Sequence, residues 1–134
     1  MNYWLVKSDP DSYGWPEMKK DKKTYWDGVR NYQARNNMKE MKKGDRVLFY
    51  HSVQGKEIVG EVEVVKESYQ DPTTDDDRWV AVDFKVIGDL ENPVTLQQIK
   101  DTESLSEIAL VRNSRLSVMP LDKKDYNTII KMSK

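Results

Sequence analysis

The sequence predicts an α+β domain: a small, barrel-like sheet of mixed or antiparallel strands with short helices at its ends. Three observations lead there. Central segments alternate apolar and polar residues with period two, helical patterns fall towards the two ends of the chain, and turn signals separate these segments at short intervals. The 134 residues have the length of one domain, placed over residues 1–134, with no repeat, low-complexity segment or linker to divide it.

Residues 3–7 read as an opening strand closed by the turn signal Ser8-Asp9-Pro10. Pro16, followed by Glu17-Met18-Lys19-Lys20, suits the start of a short helix. A second helical pattern covers residues 30–41 and stops at Lys43-Gly44-Asp45. The middle reads as sheet. In residues 47–51, Val47, Phe49 and His51 share one face and Leu48 and Tyr50 the other. After a turn at Gln54-Gly55, residues 58–65 set Ile58, Val62 and Val64 against Glu61 and Glu63. Residues 79–87 repeat the alternation, with Val80, Val82, Phe84 and Val86 against Asp83 and Lys85, and the aspartate-rich segment 71–77 is the loop between them. Thr95 is placed to cap a short helix over 96–100, residues 116–119 form a last strand before Pro120, and Asp122 is placed to cap a closing helix through Met132.

Composition narrows the chemistry. The chain has no cysteine and one histidine, His51, so disulfides, thiolate nucleophiles and His/Cys zinc sites, including those of zinc deaminases, are excluded. No glycine-rich phosphate loop and no Gly-x-Ser-x-Gly motif is present. Neither a metal nor a cofactor is expected. The opening MNYWLVKSDPD has no apolar stretch suited to a signal peptide or a membrane span, which sets the expectation of a soluble, cytoplasmic monomer away from membranes. The net charge of −1 divides unevenly: residues 1–60 hold 12 basic and 8 acidic residues, residues 61–134 hold 10 and 15. A basic half can attract a phosphate backbone locally or be ordinary solvated surface. The pI near 5.9 argues against indiscriminate coating of nucleic acid.

Of 13 aromatic residues, seven fall within the first 32 positions. Most serve packing. Trp26 differs, lying in the polar segment Thr24-Tyr25-Trp26-Asp27-Gly28 with no strand or helix phase, so that it reads as a loop-held plate for a flat heterocycle. Val29-Arg30-Asn31 opens the second helix. Arg30 there is a phosphate contact or an ion pair with Asp27, and Asn31 is a reader of a base edge or a helix cap. A second polar cluster, Arg112-Asn113-Ser114-Arg115-Leu116-Ser117, lies between Leu110-Val111 and Val118-Met119 and offers two guanidinium groups to carboxylates or a phosphate. Lys7-Ser8 and His51-Ser52 place polar groups at strand ends, where binding residues concentrate, with His51 more apt as a structural histidine than as a base.

These segments, in this order, resemble the EVE domain family: YWLVKSDP from Tyr3, WDGVRNYQARNN from Trp26, VLFYHS from Val47, IVG from Ile58, YQDP from Tyr69 and RNSRLSV from Arg112. The resemblance covers essentially the whole chain, with Asp9 where the family more often has Glu. It implies a PUA-like pseudo-barrel with flanking helices, related to the YTH domains, and a non-catalytic module that holds a modified base, such as methylated or hydroxymethylated cytosine, in DNA, RNA or a nucleotide. Carried onto this chain, Trp26 and Tyr69 become aromatic walls. Lys7, Ser8, Arg30, Asn31, His51, Asp71, Arg112, Ser114, Arg115 and Ser117 become polar lining or phosphate contacts, and Val29, Tyr50, Ser52, Pro72 and Leu116 complete the expected ligand-binding set from the same motifs. Two rivals remain at this stage. The related ASCH-type domains include hydrolases of modified nucleosides, which Lys7 with Asp71 or Asp27 would have to emulate, and exposed aromatics would equally serve a protein-interaction module.

Overall fold

The computed structural model describes residues 1–134. Six strands make one sheet: β1 (Tyr3–Ser8), β2 (Lys23–Trp26), β3 (Arg46–His51), β4 (Glu57–Gln70), β5 (Val80–Thr95) and β6 (Val118–Leu121). Their order across the sheet is β2-β5-β4-β3-β1-β6. β1 runs parallel to β3, and every other neighbouring pair is antiparallel. The mixed α+β reading holds, but the barrel does not close, because β2 and β6 remain free edges. No helix is long and apolar enough to cross a membrane.

The short helices are α1 (Pro10–Tyr13), α2 (Trp15–Asp21), α3 (Tyr32–Glu40), α4 (Leu96–Lys100), α5 (Ala109–Arg112) and α6 (Lys123–Met132). Prolines start α1 and α2, where a missing N–H costs nothing. Asn31 caps α3 by accepting from the Ala34 N–H, and Thr95 with Gln98 forms a reciprocal capping box at α4. Asp122 occupies the cap position of α6 but makes no capping hydrogen bond, contrary to the sequence expectation.

The strand boundaries differ from those read in the sequence for identifiable reasons. β4 and β5 run on to Gln70 and Thr95 because register shifts at Ile58/Gly60, Glu61/Val62, Val64/Lys66 and Lys66/Tyr69 break the simple alternation. β2 escaped prediction because Lys23, Thr24 and Tyr25 carry no apolar alternation, yet it pairs with β5 from Lys23↔Lys85 to Trp26↔Val82. β6 starts at Val118, so Leu116 and Ser117 precede it, and Pro120 is tolerated on an edge strand.

Apolar residues from both sheet faces are buried under the helices. On the face that bears the site, Trp15 meets Phe49 at a tilt with ring centres 5.1 Å apart, and Trp26 meets Phe49 at 5.6 Å and Phe84 at 5.5 Å. β4 passes this cluster at Gly60, where a Cβ would stand 2.0 Å from the Trp15 ring, so only glycine allows the indole to lie on the strand. Buried Asp45 fastens the N-terminus by accepting from the Asn2 N–H, the Trp4 indole N–H and the Lys42 N–H.

Candidate ligand-binding cavity

The C-terminal end of β1, the end of β2 and the loop that follows, and the residues before β6 surround a cavity of about 510 Å³. Lys7, Ser8 and Asp9 line one side with Tyr13, the continuous stretch from Thr24 to Arg30 lines another, and Ser117 completes it. Trp26 is the aromatic wall. Its ring is half-buried and backed by Phe49 and Phe84, while Tyr13 meets it edge-on at 6.3 Å. The Tyr13 hydroxyl donates to Asp21 at 2.7 Å. Burial, helped by that acceptor, raises the Tyr13 pKa to about 12, so the phenol keeps its proton. Lys7 Nζ donates to the Ser114 carbonyl at 2.9 Å, and burial lowers its pKa from the ordinary lysine value.

One carboxylate outside the cavity sets the shape of this wall. Asp71, wholly buried just after β4, accepts from the Gly28 N–H at 2.8 Å, from Arg30 at 3.0 Å, and from the Thr73 N–H and hydroxyl at 2.7 and 2.5 Å. Burial alone would raise its pKa. The donors outweigh it, first the Thr73 hydroxyl, then the Gly28 and Thr73 N–H groups and Arg30, and hold the carboxyl at about 2. Gly28 has φ +74°, a left-handed conformation that glycine adopts freely. The loop from Gly28 to Arg30 is thus tied to the β4–β5 connection. Arg30 also lies 5.5 Å from the Trp79 ring centre, and Trp79 stacks on Tyr32 at 5.1 Å.

A model of the EVE domain matches residues 2–132. The chain belongs to the EVE family. Among solved structures, protein Atu2648 from Agrobacterium tumefaciens is 42% identical, with 99% of this chain and 93% of that chain covered and a TM-score of 0.96. The human THYN1 protein, solved in complex with DNA containing 5-methylcytosine, is 28% identical, with 100% and 98% covered and a TM-score of 0.90. The YTH domain of Zygosaccharomyces rouxii MRB1, solved with N6-methyladenosine RNA, shares the fold at a TM-score of 0.62 over 99% of this chain and 86% of that one, with 16% identity.

In this EVE domain the expected site residues divide. Lys7, Ser8, Trp26, Val29, Arg30 and Ser117 line the cavity. Trp26 ends a strand rather than floating in a loop, and Arg30 pairs with Asp71 rather than Asp27. Asn31 is the helix cap, its side-chain oxygen spent on Ala34. His51 Nε2 accepts the Trp15 N–H at 2.9 Å. Burial lowers the His51 pKa against the opposing pull of Glu57 and Glu17, so this is a neutral structural histidine. Tyr50 is buried beneath Lys7, and Ser52 is held through its N–H on the Ser8 carbonyl. Tyr69 donates to Asp83 at 2.6 Å and lies under Lys66, 4.2 Å from its ring centre, rather than in the cavity wall. Asp71 acts through the loop it anchors, and Pro72 follows it on the exposed side. Arg112 faces Glu107 at 3.2 Å, Ser114 supplies only its carbonyl to Lys7, Arg115 is exposed and Leu116 is buried.

Sequence reasoning did not nominate Asp9, Tyr13, Thr24, Tyr25, Asp27 and Gly28 as lining. Their signal was their position, beside Ser8 and Trp26. The arrangement is also poor for hydrolysis through Lys7 and Asp71. Both Asp71 oxygens are occupied, and a carboxyl held at about 2 is a weak proton acceptor.

Proposed function

We propose that this EVE domain is a binding module for a modified nucleobase, carried on a single-stranded or flipped nucleotide. The observation behind the reading is the cavity of about 510 Å³ walled by an indole packed against Phe49 and Phe84. That volume lies in the range of small-molecule sites. A base stacked on Trp26 gains on the order of 1–3 kcal/mol, comparable with the few kcal/mol needed to extrude it from a duplex, so an unpaired base is favoured. Lys7 and Arg30 supply cationic donors at the cavity. The complex of the similar THYN1 protein with 5-methylcytosine DNA supports the same reading.

The test is a titration at two salt concentrations with single- and double-stranded oligonucleotides, DNA and RNA, bearing plain, methylated or hydroxymethylated cytosine or plain and methylated adenine. Affinity that depends on the modification supports the reading. Equal, weak binding to every strand contradicts it.

A further inference from the structure

Asp27 occupies an unusual place in the cavity wall. Trp26 before it ends β2 in register with Val82, and Gly28 after it is pinned by Asp71, so the backbone is fixed on both sides. Asp27 is one of the residues that line the cavity, and it is half-buried. It accepts no hydrogen bond and makes no ion pair, because the nearest basic residue in the sequence, Arg30, is turned to Asp71 at 3.0 Å. The other cavity carboxylate, Asp9, is engaged by the Asp11 N–H as the cap of α1. Asp27 therefore keeps a free acceptor, on a rigid support, at the lining position next to Trp26.

An ionised carboxylate only accepts hydrogen bonds. The exocyclic amine of cytosine or adenine donates and satisfies it, while the keto oxygen at the same position of thymine or hypoxanthine sets lone pair against lone pair. We propose that Asp27 is the specificity-determining residue through which the cavity selects an amino-bearing base and rejects its keto counterpart. The inference rests on the modified-base reading above. It adds a chemical rule for which bases are admitted and the residue that enforces it.

Two pairs test it in otherwise identical single-stranded oligonucleotides: 5-methylcytosine against thymine, which share the methyl group, and N6-methyladenine against hypoxanthine, with plain adenine as the control for the missing methyl. Fluorescence anisotropy is read for the wild type, Asp27→Asn and Trp26→Leu, alongside thermal melting. The wild type is expected to prefer the amino member of the pair it binds by about ten- to a hundredfold. Asp27→Asn, equal in shape but able to donate, is expected to bring that ratio within about threefold by gaining the keto base, with an unchanged melting curve. Trp26→Leu is expected to weaken both members together. Equal wild-type affinity within a bound pair overturns the role of Asp27, as does an undiminished preference in a folded Asp27→Asn. A wild type that binds none of the four strands more tightly than an abasic control overturns the modified-base reading itself, and the role of Asp27 with it.

Discussion

Residues 23–31 and residues 112–117 are both short polar stretches with basic side chains, and the fold uses them in opposite ways. The first is fixed at three points: β2 pairs with β5, the Gly28 N–H sits on Asp71, and Asn31 caps α3. Trp26, Asp27 and Arg30 consequently line one cavity. The second leaves α5 and runs without strand pairing until β6. What ties it to the site is backbone, with the Ser114 and Ser117 carbonyls accepting from the side chain and the N–H of Lys7. Arg112 and Arg115 stay on the surface. Similar composition yields a site only where a buried acceptor organises the chain.

The contrast breaks most directly at Asp71. Asp71→Ala leaves Gly28, Arg30 and Thr73 without their acceptor. Loss of one partner of a buried pair costs about 3–5 kcal/mol. Because the Arg30 side chain is 41% exposed, the lower end, about 3 kcal/mol, is expected, or a melting point lower by roughly 10 °C. The pH dependence has a defined sign. A carboxyl held at about 2, below its ordinary 3.8, contributes stability that is fully present above pH 4 and is lost as pH falls from 4 towards 2. Thermal melts across that range should show a steeper decline in the wild type than in the variant, where Asp76 and Asp89, also held below the ordinary carboxyl value, still titrate. A variant melting within 2 °C of the wild type (roughly 0.5 kcal/mol) would remove Asp71 as the anchor.

Trp26 comes next, and here the loss should appear in binding. Stacking worth on the order of 1–3 kcal/mol corresponds to about five- to 150-fold in affinity. Trp26→Leu keeps apolar volume against Phe49 and Phe84, so it separates stacking from folding better than Trp26→Ala, which would also open a cavity in the core. Wild-type affinity in a folded Trp26→Leu domain would place the base elsewhere.

The same contrast explains what could be read in advance. Short apolar runs exposed β1 and β3, and alternation exposed the centres of β4 and β5, where Val62 and Phe84 sit between charged neighbours. Neither could expose β2, whose Lys23 and Tyr25 are exposed and whose strand character comes from pairing with β5, more than 50 positions away. Trp26 stood out as a candidate wall from its polar surroundings alone. Asp27 did not, since its freedom depends on Arg30 choosing Asp71, 41 residues away, over a carboxylate three residues away. Tyr69, assigned to the wall by resemblance, instead lies on β4 with its hydroxyl on Asp83, and the register shifts that place it there leave no mark in the sequence.

A smaller effect concerns His51, which holds the start of α2 against the end of β3. Burial depresses its pKa below the ordinary 6.5, so the unfolded chain takes up a proton first as pH falls. The associated stability is complete above pH 6.5 and declines below it. His51→Gln, which can still accept the Trp15 N–H, should flatten that decline in thermal melts between pH 7 and 5. A His51→Gln profile that declines as steeply as the wild type's would show that the histidine titrates alike in both states.

The smallest effects belong to residues 112–117, and they sharpen the comparison. The Arg112–Glu107 pair has side chains 66% and 75% exposed, so Arg112→Ala should change stability by about 0–1 kcal/mol. Arg115 has no carboxylate partner within ion-pair reach and stands two residues before the cavity residue Ser117. If a bound strand runs past it, Arg115→Ala should weaken modified and plain oligonucleotides by the same factor and reduce the salt slope of log affinity by about 1. A uniform loss assigns this loop to the phosphate backbone and residues 23–31 to the base. If Arg115→Ala instead erases the preference for the modified base, base recognition extends into residues 112–117, and the division of labour between the two regions fails.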